Sequence, residues 1–279
     1  MTRLKLPQFL LMLMPPIILL TVFTLWPLAE VVWLSLHNVN FIKFDFIGLA
    51  NYYEAVRDIA FRQEVLNSLF YIALLIPLNV ILSASLAMIA YHLSKRWQDS
   101  GRIILYVPSL AAGVILAQVW KWVFNAKGPI NWILGLLHIP AIQWFSNGIT
   151  SIPVIVFIVA FCSVGSNFII CLSSILSIDK SIFDAANIDG ANRGVINRQI
   201  ILPIIMPTVI LIGFMAMLQA PAIFENIFLL APQTFAGTMA YGIYQQGFQF
   251  GRYGYGAAQS VIMLVLMVGL SVLKNRLAK

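Results

Sequence analysis

Charge is scarce in this chain of 279 residues: Asp, Glu, Lys and Arg make up 10% of it, and hydrophobic residues 61%. A soluble domain of this size must cover itself with polar side chains, so this balance, with a mean hydropathy of +0.90, excludes one. Cysteine is nearly lacking: Cys162 and Cys171 fall in one expected membrane helix and read as packing residues, not as a disulfide framework. The sequence has no Gly-x-x-x-x-Gly-Lys-Ser/Thr phosphate loop. His37, His92 and His138 lie at expected span ends or in loops, outside any Gly-x-Ser or His-x-x-x-His arrangement, which speaks against an intramembrane enzyme. The alternating ten-residue strands of an outer-membrane barrel are also missing.

What is present is long apolar runs. Six spans are expected, at 9–36, 67–93, 103–125, 153–176, 203–230 and 254–273, most of them exceeding the roughly 20 residues that cross a bilayer as a helix. The last is marginal over 257–273 and is extended back to Gly254. The expectation is an all-α protein, 1–279 forming a single transmembrane domain of six helices. The first run follows Arg3 and Lys5, but it is too long for a signal-peptide core and has no clear cleavage site, so it reads as a retained anchor.

The net charge of +7 is explained by topology. Arg3, Lys5, Lys95, Arg96, Arg102, Lys180, Arg193, Arg198, Lys274, Arg276 and Lys279 fall on the side of the two tails. Only Lys43, Arg57, Arg62, Lys127 and Arg252 fall on the other, which places both termini in the cytoplasm. The basic residues form no stripe interleaved with aromatics, so no nucleic-acid partner is expected. On the outer side, 37–66 reads as short helices at the membrane surface, and "WILGLLHIPAIQWF" in 126–152 as an interfacial segment.

The loop at 177–202 is of another kind. Asp179 can cap a short helix through Lys180–Ala186, Gly190 can end it at a positive φ, and Asn192 can cap a second helix that reaches Leu202. Pro203 suits the first turn of the next span. The pair is expected to expose Ala185, Ala186, Gly190 and Ala191, small residues that let another surface approach the backbone. The alternative is an amphipathic loop that only fixes topology.

These residues also resemble a family. "DAANIDGA" followed by "ILP" and "MP" is similar to the EAA loop of binding-protein-dependent ABC importer permeases, and three further stretches resemble the maltose-type, carbohydrate-uptake branch: "IGLANYYEAV", "WKWVFNAKGPINWILG" and "YGIYQQGFQFGRYGYGAAQS". The likeness covers nearly the whole chain. It implies a type I ABC importer architecture in a bacterial inner membrane, with 177–202 as a cytoplasmic coupling helix-turn-helix carrying Asp184, Ala185, Ala186, Asp189, Gly190, Ala191, Leu202 and Pro203. The chain departs from the pattern at Asp179 (usually Pro), Asp184 (usually Glu), Gly194 and Asn197 (often aromatic), and at "APQT" where Gly-Gly-Pro is usual. The implied partners are a second homologous permease, two ATPase subunits that carry ATP and Mg, an external solute-binding protein and the lipid bilayer; no cofactor is expected in this chain.

Polar residues inside spans should face a cavity or another helix. Gln118, Asn167, Gln219, Asn226 and Gln259, with Ala216 one turn before Gln219, are the candidates for a translocation path, and Ser166 lies beside Asn167. Gln219 and Asn226 are seven apart and are expected to share a helix face, with Pro221 kinking the helix nearby. The alternative is that these amides join helices to one another. Glu225 and Lys121 are expected near the outer interface, and Phe224, Phe228, Trp120 and Trp122 could offer flat apolar faces to a sugar. A sugar, another polyol or glycerol phosphate is compatible with this branch. An ATP-independent transporter is the distant alternative; it would need coupling carboxylates, and Glu225 is the only acidic residue deep enough to consider.

Overall fold

A computed structural model describes residues 6–40, 44–111, 113–231 and 234–277. Arg3, Lys5, Lys43 and Lys279 of the charge argument, and Pro232 and Gln233 of "APQT", lie outside the described residues. The chain forms two compact units.

One unit takes in the chain as far as Arg62 together with Gly242–Leu270. Helix α1 (Leu6–Leu20) passes through a π-helical turn, Thr21–Leu25, into α2 (Trp26–Ser35). Pro27 explains the wide turn: it has no N–H and its ring crowds the carbonyl four residues back, and the Trp26 N–H bonds the Thr21 carbonyl five residues back. A hairpin follows, β1 (His37–Val39) against β2 (Phe44–Phe46), with His37 opposite Phe46, and then α3 (Ala50–Arg57). Buried Asn51 holds this corner by donating to the carbonyls of Ser35 (2.9 Å) and His37 (3.0 Å).

Helix α4 (Ile59–Tyr91) carries the chain into the second unit, Gln63–Tyr241 with Ser271–Lys279. There follow α5 (Lys95–Leu110), α6 (Gly113–Val123), α7 (Pro129–Leu136), α8 (Gly148–Leu176), α9 (Lys180–Ile188), α10 (Arg193–Val195), a π-helical turn Ile196–Ile201, α11 (Leu202–Gln219), α12 (Glu225–Leu230) and α13 (Met239–Tyr244). The last helix, α14 (Tyr253–Leu277), begins in the first unit. Helix α8 is the axis of the second unit: Ile155, Ile158, Phe168, Leu172 and Ile175 on it are fully buried. Gly165 lets α5 approach, because any side chain there would strike the Leu105 carbonyl.

Among the described residues, five helices are long and apolar enough to cross a membrane, and six if α5 and α6 form one broken span. The expected span at 103–125 is not straight: between Leu110 and Gly113 the chain turns by 96°. Pro108, in the last turn of α5, has no N–H for the ladder, and Ala111 leaves the helix as extended backbone. The expected span at 203–230 also breaks, as described below. The expected start at Pro203 is corrected too: the helix runs unbroken from Arg193, and the Leu202 N–H reaches five residues back to Asn197, the adjustment seen ahead of Pro27. The spans at 67–93 and 153–176 begin earlier than expected, at Ile59 and Gly148, since a helix does not stop where its apolar residues stop.

Candidate functional site

Helix α11 ends at Gln219 because Pro221 cannot supply the next N–H; one 3-10 turn, Ala220–Ala222, follows, Ile223 is extended, and α12 starts at Glu225. The Thr238 hydroxyl donates to the Ile223 carbonyl left free by this break. The break faces the one between α5 and α6. Between them lies a cavity of about 420 Å³ that Gln219, Glu225, Asn226 and Ser109 line together with Val159 and Cys162 of α8. The Ser109 hydroxyl donates to the Cys162 carbonyl at 2.7 Å, tying the α5 end to α8. The Glu225 carboxylate lies against Gly113, where a side chain would collide with it.

A second cavity, of about 260 Å³, lies further along α8, lined by Ser163, Ser166 and Asn167, by Asn79 of α4 and by Ala216 and Gln219. Asn79 Oδ1 accepts from Ser163 Oγ (2.8 Å) and Asn167 Nδ2 (3.1 Å), while its own buried Nδ2 has no partner. An unpaired donor at such a place asks for an acceptor from whatever fills the cavity. Gln219 belongs to both cavities. Asn79 and Ser163 are missing from the sequence-based candidates; the signal was a lone Asn in the apolar run "IPLNVILSA".

The candidates thus divide. Gln219 and Asn226 line the first cavity, but across a break in the chain and not on one continuous helix face as expected. Gln219, Ala216 and Asn167 line the second. Gln118 and Lys121 are exposed on α6 and line neither. Gln259 is buried in α14 of the other unit, its Oε1 unpartnered. Cys162, read as packing, borders the first cavity, whereas Cys171 is fully buried.

At the end of α4 sits the 177–202 segment. The Asp179 carboxylate caps α9, accepting from the Ser181 N–H at 2.9 Å, and this hydrogen bond holds its carboxyl below the usual range. Gly190, at φ +76°, ends the helix: its N–H bonds the Asn187 carbonyl, and the Ala191 N–H reaches the Ala186 carbonyl. Asn192 caps the next helix through the Val195 N–H. Phe183 and Ala186, one turn apart, are buried, and the Phe183 ring lies 5.0 Å from that of Tyr91. The expected exposure of four small residues is therefore corrected: Ala186 points into the core and Ala191 is half-buried. The open face carries Asp184, Ala185, Ile188, Asp189 and Gly190. Leu202 is half-buried and Pro203 exposed.

No family model matches the chain. Among curated proteins, the inner membrane ABC transporter permease protein YcjO of Escherichia coli (strain K12) is 27% identical, covering 98% of this chain and 95% of the relative. The trehalose/maltose transport system permease protein MalF of Thermococcus litoralis is 27% identical over 94% of this chain and 90% of its own length. The sn-glycerol-3-phosphate transport system permease protein UgpA of Yersinia pestis is 29% identical, with coverages of 95% and 92%. A solved bacterial alginate ABC transporter, in complex with an alginate pentasaccharide-bound periplasmic protein, contains a chain of the same fold, with a TM-score of 0.86, 21% identity and coverages of 97% and 93%. Relatives of one kind matched end to end, and a fold with two broken helices beside a capped helix-turn-helix, lead to one statement: along nearly its whole length this chain is similar to ABC transporter permeases of sugar and glycerol-phosphate uptake, and it shares their fold.

Proposed function

We propose that this chain forms half of the path by which an ATP-driven importer carries a sugar or related polyol inward. The observation that carries this reading is the place of Gln219: it lines two polar cavities in succession and ends the same unbroken helix that starts in the 177–202 segment. The amides and hydroxyls of Ser109, Asn79, Asn167, Gln219 and Asn226 match the donors and acceptors of a polyol, with Phe224 beside them as an apolar surface. The open face from Asp184 to Gly190 suits insertion into an ATPase cleft, where nucleotide-driven closure would pull on the helix.

In this reading the chain works with a second, homologous permease, two cytoplasmic ATPase subunits holding ATP and Mg, and an extracytoplasmic solute-binding protein. Both termini and the 177–202 segment face the cytoplasm. The test is affinity purification of the tagged chain from its native membrane in mild detergent, with mass spectrometry and an ATPase assay. Recovery of an ATPase, a second six-span protein and a binding protein is the expected result. A chain that came out alone and transported solute in liposomes without ATP would overturn the reading.

A further inference from the structure

We infer that Glu225 makes the first cavity selective against anionic solutes, so that this permease takes uncharged or amine-bearing sugars and rejects phosphorylated or carboxylated ones. This rests on the reading of that cavity as part of the solute path. Glu225 is the one charged residue among the described residues that line it; no Lys, Arg or His does so. Lys121, the cation that could have served an anionic solute, is exposed elsewhere on α6. Among the described residues the ion pairs are Arg102 with Asp99 and Arg252 with Glu54, and none of them pairs with Glu225. Gly113 keeps the carboxylate where it is by leaving it room. Leu116, Val159 and Ile223 supply apolar walls, and such walls focus the field of a single charge into the cavity. Ser109, Gln219 and Asn226 remain for hydroxyl groups, which carry no charge for the carboxylate to repel.

Cys162 borders the same cavity and Cys171 is fully buried, so the native chain carries its own reporter. In the complete transporter in liposomes, the reaction of Cys162 with a cationic (trimethylammonium) and an anionic (sulfonate) methanethiosulfonate is followed by mass spectrometry of this chain, each rate divided by that of a small free thiol. Cys162→Ser gives the blank. The cationic reagent is expected to react about tenfold faster than the anionic one. In Glu225→Gln the ratio should fall to about one, and in Gly113→Ala, which displaces the carboxylate while leaving it charged, to a value between. An unchanged ratio in Glu225→Gln overturns the inference, as does a Cys162 that neither reagent reaches. If the ratio behaves as expected but labelling leaves uptake intact, the cavity is off the solute path: the path reading then fails, and with it the selectivity inferred from it, although the carboxylate still sets the local field.

Discussion

His92 Nε2, just beyond the end of α4, and Asn197 Oδ1, in the π-helical turn, meet at 2.7 Å across 105 residues of sequence. The contact joins the 177–202 segment to a helix that lines the second cavity through Asn79. Asn197→Ala and His92→Ala should each lower stability by about 1 kcal/mol, the net worth of one hydrogen bond. Uptake should fall further than stability does, and the double variant should be no worse than either single one. Additive losses, measured by thermal unfolding and uptake together, would show that the pair does not act as a unit.

Gly190 has open space around it but a left-handed backbone. Gly190→Arg should therefore fold, with a loss of about 1–2 kcal/mol for the unfavourable φ. It should also lose uptake while ATPase activity no longer responds to solute. Normal uptake by this variant would count against docking at this face.

Gly165→Ala is expected to fare worse, since its new methyl group would meet the backbone of α5 at Leu105 and not a movable side chain. Separating the two helices should cost about 1–3 kcal/mol. Gly101→Ala, whose added carbon would find only the Phe168 ring at ordinary contact distance, is the control. Equal unfolding temperatures for the two variants would refute the close-packing account.

The Asp179 cap makes a prediction about acid. Its carboxyl titrates below the usual Asp range of about 4 because the charged form accepts the Ser181 N–H. A group whose folded value is lowered contributes its stability above the unfolded value and loses it as the pH falls through the folded one. Exchange of the first-turn amides of α9 should accordingly quicken at acid pH, relative to the intrinsic rate, in the native chain. Asp179→Asn, which caps without titrating, should show no such change. Equal acid sensitivity in both would assign the effect to another group.

Much of this architecture can be read from the residues, and the failures have common causes. Asp179, Gly190 and Asn192 were legible because caps and a left-handed stop are local requirements met by few residue types. Helix ends at Ile59 and Gly148 were not, because hydropathy marks the thickness of a bilayer and a helix can outrun it. The breaks after Leu110 and Gln219 are signalled by Pro108 and Pro221, but nothing local says that the two breaks face one another. The place of Glu225 against Gly113 comes from that pairing of distant segments. Asn79 escaped notice because its partners, Ser163 and Asn167, come from another helix.

The run Arg193–Ala222, which leaves the α-helix for a 3-10 turn after Gln219, has thirty residues, about 45 Å at roughly 1.5 Å per residue. Such a rod is a lever. If it turns about its buried middle, near Ile205 and Val209, a tilt of about ten degrees moves each end about 4 Å, in opposite senses. That displacement is larger than a hydrogen bond is long. A small movement at Asp184–Gly190 is thus enough to carry the Gln219 amide out of reach of a solute hydroxyl, without any change in the helix itself.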